Sequence, residues 1–560
     1  MKKKNLIFMV SVFILTIITI FGMGNGFLTV SPYKVYASFE EGKTNIIIDG
    51  KAVITDEHPI IEEENIYIPV DVFMKYIHKE SLLNTENKTL IVHFSTPGFI
   101  LPQEDSNNRI RNGISLNFLL ANKEGINYID IKDMDKLLGI KIEYFEETDI
   151  LSIDNNIQDT KIGLVKKSTL LRSKALSHGS RLDKLSKGEK LVIYKKEKSK
   201  WYKVKSEKGY VGYVLASKVT IKKDEEISEV DTKLNDLKEP WKPEGKIGFA
   251  WEYVYKSTPD IKQDEKIEGL DVVSPTWFSI TDKYGFVKNK ASFDYVKAAH
   301  EKGYKVWGLV NNSFDKDLTR EILLSKQAQD NIINQLLVYA SLYDLDGINI
   351  DFENVYYEDK DMLTAFIKDL TDALKEENLV VSMDMTIPGG SLTWSKFYDR
   401  EKLGQIVDYC MVMTYDEHWA SSPKSGSVAS IGWVKKGVEN TLKSIPKEKL
   451  LVGIPFYTRL WEETKLSNGK IKVKAKSLSM NSVNEKIEQY NLTPRWLDKE
   501  GQNYVEYVEG GKKYRIWIED AKSIKLKSDL VDKYDIAGTA FWRKGFETED
   551  VWDVIAESLK

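Results

Sequence analysis

One short stretch, residues 345–354 (Leu-Asp-Gly-Ile-Asn-Ile-Asp-Phe-Glu-Asn), constrains the fold of this chain more than any other. Its apolar residues Ile348, Ile350 and Phe352 alternate with polar ones. Side chains alternate between the two faces of a strand, so the apolar set points one way and the polar set the other. Two carboxyl groups and an amide on one face, backed by bulky apolar residues, indicate a strand whose outer face packs on helices and whose inner face lines a polar site.

The sequences on either side of this stretch favour a functional role for its acids. Residues Leu323–Tyr343 before it and Met362–Leu374 after it carry apolar side chains at helical spacing. Helix, acid-tipped strand and helix is the repeating unit of a parallel barrel, in which catalytic groups stand at the carboxyl ends of the strands. On the pattern of the strand alone, the simpler alternative stays open, in which Asp351 and Glu353 are merely exposed at a strand end.

The polar residues of this stretch resemble a known signature. Asp346, Asn349, Asp351 and Glu353 have the spacing Asp-x-x-Asn-x-Asp-x-Glu, which resembles the Asp-x-x-Asp-x-Asp-x-Glu motif of glycoside hydrolase family 18, the chitinase-like hydrolases. The departure is Asn349, which stands where the family carries its second acid. The resemblance implies a glycosidase with a (β/α)8 TIM barrel. The sequence shows no metal-ligand cluster and no nucleotide-binding loop, so no cofactor is expected.

The order of predicted strands and helices in residues 244–560 is that of an eight-stranded barrel. Buried-type strands recur with helical stretches such as 293–302 and 434–444 between them, and the length is typical of this fold. Residues 461–530 exceed a normal helical connection, and alternating segments around Gly510 and Gly511 predict a hairpin inserted beside the cleft. The predicted strands are β1, Ile247–Trp251; β2, Val272–Phe278; β3, Val306–Val310; β4, Gly347–Glu353; β5, Val380–Thr386; β6, Tyr409–Tyr415; β7, Leu450–Pro455; and β8, Gly538–Trp542.

Four further segments at strand ends resemble the family at matching places. They are Met383–Thr386 on β5, Met413–Asp416 on β6, Gly453–Arg459 on β7 and Ala540–Trp542 on β8. Each alone is more often core packing, but four in register at the same ends of their strands are hard to explain that way. The candidate substrate-binding residues are Asp346, Asn349, Asp384, Asp416, Tyr457, Arg459 and Trp542.

The resemblance also implies catalytic roles. Glu353 would be the general acid and later the base for water, while Asp351 would orient the 2-acetamido group and Tyr415 would donate a hydrogen bond to its carbonyl. The family is an exception among retaining glycosidases, because the acetamido group of the substrate replaces a second carboxylate as nucleophile. The neighbouring carboxylate would help keep Glu353 protonated near neutral pH.

Supporting roles follow from the same resemblance. Asp416 would help bind the sugar, and Trp542 would be the flat surface on which its apolar face stacks. Asp346, at the start of the strand, is expected to support Asp351 from behind. Asn349 keeps a hydrogen-bonding partner but removes a charge, which bears on the pH optimum more than on the activity.

Fold does not fix the substrate, since both chitin and peptidoglycan contain N-acetylglucosamine. The variant motif with Asn349, the basic module described below and the strand-rich N-terminal region most resemble spore-former glycosidases that act on peptidoglycan or cortex fragments. We therefore expect a wall hydrolase of the N-acetylglucosaminidase type. Two alternatives stay open: a chitinase, and a catalytically silent glycan-binding wall protein.

The first 37 residues resemble a secretory signal peptide. Lys2, Lys3 and Lys4 precede an uncharged apolar run, and Val35-Tyr36-Ala37 resembles a cleavage site, which predicts a secreted or cell-wall-associated protein. An uncleaved membrane anchor is the alternative. The single cysteine, Cys410, excludes an intrachain disulfide. The formal net charge of −4, near −8 without the lysines of the leader, argues against general nucleic-acid binding.

Two small modules precede the barrel. Residues 43–157 are strand-rich and resemble the module named for the N-terminal domain of copper amine oxidases, although His58, His78 and His93 lack metal-ligand spacing. Residues 160–221 resemble a bacterial SH3-type domain, a small β-barrel. This region holds 17 Lys and Arg against 4 Asp and Glu, which predicts contact with an anionic wall. Residues 222–243 form a charged linker that ends in prolines.

Overall fold

The structure is a computed structural model that divides into two compact units, each described here by itself. It describes residues 31, 34–36, 38–62, 65–85, 88–94, 114–131, 134, 138–155, 160–198, 200–222 and 241–560. Most of the predicted leader and of the predicted linker lie outside these residues. Within the described ranges, no helix is long and apolar enough to span a membrane.

The first part of the N-terminal unit is built from three small sheets. A turn at Asp49-Gly50 joins two of its antiparallel strands. A short helical segment, Val70–Val72, continues as a π-helical turn, Phe73–Ile77. The strands are Asn45–Ile48, Lys51–Ala52, Ile60–Glu62, Asn65–Pro69, Leu82–Asn84, Thr89–Phe94, Ile114–Leu119, Ala121–Lys123, Ile126–Asp130, Lys141–Phe145 and Ile150–Asp154.

The second part of this unit is the small β-barrel expected from the sequence. Alternating apolar residues of its strands, among them Leu171, Leu191, Val204 and Val214, form its buried core. Its strands are Lys161–Val165, Thr169–Arg172, Arg181–Leu185, Lys190–Glu197, Trp201–Lys205, Val211–Leu215 and Val219–Ile221, with a single helical turn at Ala216–Lys218.

A buried lysine ties the two parts of the N-terminal unit together. The Lys205 ammonium group, at the end of a small-barrel strand, donates to the carboxylates of Glu143 at 2.6 Å and Asp154 at 2.7 Å. A buried charge is tolerated when it is paired in this way. The two predicted modules therefore share one compact unit.

Residues at the predicted cleavage site belong to this packing. Val35 and Tyr36 lie against the core of the small barrel, and the Tyr36 hydroxyl donates to the carbonyl of Val211. Cleavage after Ala37 would remove both side chains from that core. The apolar run of the leader lies outside the described residues, so export stays a prediction.

The C-terminal unit contains the predicted eight-stranded parallel barrel. Neighbouring strands pair in the order of the chain, and the barrel closes where β8 pairs with β1. Its interior is filled by large side chains from several strands, including Phe249, Trp251, Trp307 and Met411. The strands are β1, Ile247–Glu252; β2, Val272–Pro275 with a second segment Phe278–Ile280; β3, Lys305–Asn311; β4, Gly347–Asp351; β5, Val380–Thr386; β6, Tyr409–Met413; β7, Leu450–Pro455; and β8, Gly538–Trp542. A short strand, Val287–Asn289, pairs with the second segment of β2.

Five strands differ from their predicted extents. β1 is one residue longer at its end, and β3 is one residue longer at each end. β2 is interrupted at Thr276 and Trp277, so it is two short segments. β4 ends at Asp351, because the Glu353 backbone N–H donates to the Asn312 side chain rather than to a neighbouring strand. β6 ends at Met413, and Asp416 then has a left-handed backbone with φ of +56°. The catalytic candidates beyond β4 and β6 therefore stand on loops.

Helices lie between successive barrel strands from β2 onward, as predicted, and none lies between β1 and β2 in residues 253–271. The predicted helix over 323–343 is the helix Lys326–Leu342, which begins after Ser325 because the Ser325 side chain accepts from the backbone N–H of Ala328. The helices are Phe293–Glu301, Lys316–Leu323, Lys326–Leu342, Lys360–Lys375, Arg400–Ile406, Ile431–Thr441, Ala521–Ser528, Leu530–Tyr534 and Asp550–Ser558, with single turns at Tyr357–Asp359, Leu392–Lys396 and Lys447–Lys449.

The insertion between β7 and β8 is a five-stranded antiparallel sheet with one helix, Met480–Gln489. The predicted hairpin around Gly510 and Gly511 is present as two neighbouring strands of this sheet. The insertion begins earlier than expected, because Tyr457 starts its first strand instead of continuing β7. Its strands are Tyr457–Lys465, Ile471–Ser479, Arg495–Leu497, Gln502–Glu509 and Lys512–Ile518.

Candidate active site

The carboxyl ends of the barrel strands surround a cavity of about 460 Å³. Catalytic groups stand at this end in barrels of this type. Seven of the ten residues singled out in the sequence line it: Asp351, Glu353, Asp384, Tyr415, Asp416, Tyr457 and Trp542. The other three, Asp346, Asn349 and Arg459, are absent from its lining.

Glu353 is held by its backbone rather than by a strand. The side-chain oxygen of Asn312 accepts from the Glu353 backbone N–H at 3.1 Å, and the Asn312 amide group donates to the Glu353 carbonyl at 2.8 Å. The same amide group donates to Thr319 Oγ1 at 2.8 Å. Asn312 is fully buried, so it fixes the main chain that carries the Glu353 carboxyl group.

Tyr398 supports the same segment from another side, because its hydroxyl donates to the Phe352 carbonyl at 2.9 Å. Neither Asn312 nor Tyr398 was singled out in the sequence. Asn312 lies directly after β3 in a run of two asparagines, and the only signal was its position at a strand end.

The carboxyl group of Glu353 is poised to hold a proton near neutral pH. Burial, together with the neighbouring carboxylate of Asp416, raises the pKa of Glu353 to about 7. A carboxylic acid in this range can donate a proton to a leaving group and take one back from water.

Two further carboxyl groups lie beside Glu353. Burial raises the pKa of Asp351 well above its ordinary value, and the nearby Glu353 and Asp384 raise it further. Burial likewise raises the pKa of Asp384 to about 8, although hydrogen bonds from Asn349 and Trp251 oppose this rise. Asp351 Oδ1 is buried and has no hydrogen-bond partner. It is therefore an acceptor available to a ligand in the cavity.

Asn349 lies beneath the site and does not line it. Its side chain is fully buried and donates to Asp384 Oδ1 and to Ser382 Oγ, both at 3.0 Å. Its oxygen accepts from Trp251 Nε1 at 3.0 Å and Ser274 Oγ at 3.3 Å. Its hydrogen-bonding groups are thus engaged by the protein, and its substrate-binding role stays a prediction.

Asp346 stands at the opposite end of β4. Its carboxylate lies 2.7 Å from His300 Nε2 and accepts from Lys305 Nζ at 3.1 Å and the Val306 backbone N–H at 2.9 Å. Five residues of extended strand separate Asp346 from Asp351 by roughly 17 Å. Asp346 therefore helps to close the amino-terminal end of the barrel, and the expected support of Asp351 from behind is wrong.

Asp416 is fixed by two residues of the insertion. One of its carboxylate oxygens accepts from the Tyr457 hydroxyl at 2.5 Å and from the Arg459 guanidinium at 2.6 Å. Arg459 also donates to the His418 carbonyl and to Ser477 Oγ, and it is buried behind Asp416. Arg459 therefore positions Asp416 and does not line the cavity itself, and its substrate-binding role stays a prediction.

Aromatic side chains form much of the remaining wall. Tyr415 lies edge-on to Tyr457, and Trp542 packs against Trp251 on the floor of the barrel. Three exposed aromatic residues that sequence reasoning missed also line the cavity: Tyr253, Phe314 and Trp394. They stand on the loops after β1, β3 and β5, where no periodic pattern distinguishes them. Aromatic faces beside carboxyl groups suit a sugar ring.

The comparisons with known proteins agree with this geometry. The profile of glycosyl hydrolases family 18 matches residues 260–546, and that of the bacterial SH3 domain matches residues 168–220. The uncharacterized glycosylase YvbX of Bacillus subtilis is 31% identical over 50% of this chain and 84% of its own length. The cortical fragment-lytic enzyme of Bacillus anthracis is 26% identical over 45% of this chain and 59% of its own length.

A solved structure shares the fold. The spore cortex-lytic enzyme SleL of Bacillus megaterium has a TM-score of 0.50 and 24% identity, covering 57% of this chain and 76% of SleL. The chain thus spans less than two thirds of the cortical fragment-lytic relative and most of YvbX. With its family profile, its acid-tipped barrel strand and its relatives in agreement, the chain belongs to glycosyl hydrolases family 18, a family of glycosidases.

Proposed function

We propose that this protein hydrolyses peptidoglycan or spore-cortex glycan next to N-acetylglucosamine by a substrate-assisted, retaining mechanism. The observation that carries the proposal is the pairing at one cavity of a half-buried acid, Glu353, whose pKa is raised to about 7, with the unpartnered oxygen of Asp351. Glu353 can protonate a glycosidic oxygen, and Asp351 can accept from the N–H of an acetamido group.

The mechanism divides into two displacements. Glu353 gives its proton to the leaving oxygen as the glycosidic bond breaks, and the carbonyl oxygen of the 2-acetamido group bonds to the anomeric carbon. Asp351 stabilises the positive charge on the resulting oxazolinium ring, and Tyr415 donates to the acetamido oxygen. Glu353, now a carboxylate, takes a proton from water as that water attacks the anomeric carbon. The acetamido group is restored, and configuration is retained.

The choice of a wall glycan rests on relatives and on charge. The cortical fragment-lytic relative has a name that describes action on cortex fragments, and the N-terminal unit of this chain carries a basic SH3 domain. Chitin is the alternative substrate, because it offers the same N-acetylglucosamine to the same residues.

Product analysis tests the proposal. We expect the purified protein to release new reducing N-acetylglucosamine ends from peptidoglycan or from cortex fragments, detected by mass spectrometry after borohydride reduction. Cleavage of chitin oligomers alone would replace the wall assignment with the alternative. Binding of either glycan without any cleavage would contradict hydrolysis altogether.

The pH profile follows from the raised pKa of Glu353. The acid must be protonated to act, so kcat is expected to hold below pH 7 and to fall above it with an apparent pKa of about 7. Asp416→Asn removes a negative neighbour that raises this pKa, so the alkaline fall should move to lower pH whatever happens to the absolute rate. A fall that stays in place in this variant, measured on a soluble oligosaccharide, would contradict the electrostatic account.

Asn312 is expected to be a positioning residue for Glu353. Asn312→Leu keeps the volume but removes both hydrogen bonds to the Glu353 main chain, and misplacement of the acid should lower kcat by roughly 10- to 100-fold with little change in KM. Steady-state kinetics on a soluble oligosaccharide measure this split.

Thr319→Val is the matched control for Asn312. It removes a buried hydrogen bond of the same asparagine while leaving both bonds to Glu353 intact. We expect Thr319→Val to lose stability but to keep kcat within about threefold of the wild type. Equal losses of kcat in the two variants would show that Asn312 matters only for packing.

We also propose that the SH3 domain contacts the anionic wall. Lys195, Lys196, Lys198 and Lys200 are exposed on one hairpin of the small barrel. The triple variant Lys196→Glu/Lys198→Glu/Lys200→Glu is expected to cosediment less with purified walls, in a salt-dependent way, because screening weakens attraction between exposed charges. Hydrolysis of a soluble oligosaccharide should not change. Undiminished cosedimentation would remove this hairpin as the contact.

A further inference from the structure

The cavity contains a carboxyl group, that of Asp384, which lies outside the β4 signature. Asp384 comes from β5, is 1% exposed and reaches the cavity wall. In the β4 signature the neutral Asn349 occupies a position where an acid would stand next to Asp351 on the same strand face. Asn349 instead donates directly to Asp384 at 3.0 Å.

The register of the two strands places Asp384 beside Asp351. Asn349 pairs with Ser382, and Ile350 pairs with Met383, so the next positions along the two parallel strands are Asp351 and Asp384. Neighbouring strands lie about 5 Å apart, and residues two apart on a strand face the same side. Asp351 and Asp384 are therefore lateral neighbours on the inner face of the barrel.

The hydrogen bonds distinguish the two aspartates. Asp384 accepts from Asn349 Nδ2 on one oxygen and from Trp251 Nε1 on the other, both at 3.0 Å. Asp351 has a buried oxygen without any partner. Donors stabilise the charged form of a carboxyl group, and two adjacent buried carboxyl groups do not both ionise readily. These hydrogen bonds favour the negative charge of the pair on Asp384 and the proton on Asp351.

The other titratable groups around the pair do not compete for this role. Glu353 faces both aspartates, and its own neighbour is Asp416. Burial raises the pKa of Tyr398 and of Tyr415 well above the ordinary value, and that of Cys410 to about 12. These three side chains therefore stay neutral and protonated across the working range.

We propose that Asp384 supplies from β5 the negative charge that Asn349 cannot supply from β4, and that Asp384 and Asp351 hold one proton between them. Asp384 acts through Asp351 as a positioning residue. In the free enzyme it keeps the proton on Asp351. When the oxazolinium charge develops, the proton can move toward Asp384, and Asp351 becomes the anion that faces that charge. No proton enters or leaves the pair. The inference rests on the proposed function for the chemical step alone.

The decisive experiment moves the carboxyl group back to β4. The variants are Asp384→Asn, the double variant Asn349→Asp/Asp384→Asn and the control Ser382→Ala, which removes another hydrogen bond of Asn349 without touching a carboxyl group. Two readouts apply to each: kcat and KM on the glycan that the wild type cleaves, and the pKa of Asp351 from carboxyl ¹³C NMR, with Asp351→Asn identifying its signal.

We expect Asp384→Asn to lower kcat by roughly 10- to 100-fold with little change in KM, and to lower the pKa of Asp351 by about one unit or more, because a neighbouring negative charge is lost. The double variant should regain most of the kcat and most of the Asp351 pKa, since Trp251 and Ser274 already donate to the oxygen at position 349. Ser382→Ala should leave kcat and the pKa of Asp351 near the wild-type values.

An unchanged pKa of Asp351 in Asp384→Asn would overturn the proposal, as would a double variant that folds but regains nothing. If Asp384→Asn does not fold, the double variant decides: kcat within about tenfold of the wild type supports the relocated charge, and a larger loss overturns it. A wild type that cleaves no N-acetyl glycan would end the proposed function, but the NMR titration would still decide whether the two aspartates share a proton.

Discussion

Replacing Glu353 with glutamine is expected to lower kcat by about 1,000-fold or more while leaving glycan binding in place. Glutamine keeps the size and one acceptor of the side chain, so the sugar can still lie in the cavity. It has no proton to give to the leaving oxygen and cannot take one from water. Single-turnover hydrolysis of the glycan that the wild type cleaves, measured beside equilibrium binding of the same glycan, separates the loss of chemistry from any loss of binding.

The Glu353→Gln variant should also be the more stable protein at alkaline pH. The folded state raises the pKa of Glu353 from 4.5 to about 7, so it binds a proton that the unfolded chain has released. The contribution of Glu353 to the free energy of unfolding is fully present below pH 4.5 and is lost as pH rises through 7. Glutamine carries no such penalty, and the variant should gain on the order of 2 kcal/mol at pH 8. Lost activity together with lost stability would mean disruption of the site rather than removal of the acid.

Replacing Lys527 with methionine is expected to destabilise the C-terminal unit by about 3–5 kcal/mol. Lys527 is 0% exposed and donates to both oxygens of Glu519, which is 2% exposed. Glu519 lies at the end of the inserted sheet, and Lys527 is on the helix that follows it. Without its partner, Glu519 is left as an uncompensated buried charge, although Gln502 and Ser523 still donate to it.

Tryptophan fluorescence measures this loss in the right unit, because twelve of the thirteen tryptophans lie in residues 241–560. Burial raises the pKa of Glu519, and Lys527 opposes that rise. Removing the lysine raises the pKa further, so the destabilisation should be smaller at pH 5 than at pH 8. The double variant Glu519→Gln/Lys527→Met is the control and should stay within about 1–2 kcal/mol of the wild type. A single variant as stable as the double would contradict the pairing.

The sequence predicted the barrel and most of its strands because the signal is local. Alternation of Ile348, Ile350 and Phe352 with polar residues follows from backbone geometry alone, and these apolar side chains are buried as expected. The predicted ranges of β5, β7 and β8 agree with the structure. The hairpin around Gly510-Gly511 was likewise visible, since alternation flanks a pair of turn glycines.

The sequence could not show which singled-out residues reach the cavity. Asp346 and Asp351 belong to one motif, yet a strand is straight, so they stand at opposite ends of the barrel. Arg459 was predicted to bind substrate, but the insertion sheet places it behind Asp416, to which it donates a hydrogen bond. Asn312, which fixes Glu353, is 41 residues away from it in the chain.

Periodicity and spacing within single stretches were enough to predict the eight barrel strands and the acids at the end of β4, because both are properties of the local chain. The tertiary structure alone decided how side chains from different strands meet. Asn349 faces Asp384, and Asp384 lies beside Asp351, only because β4 and β5 pair in one register. Register is set by how all the strands close into a barrel, and no single stretch of the chain contains that information.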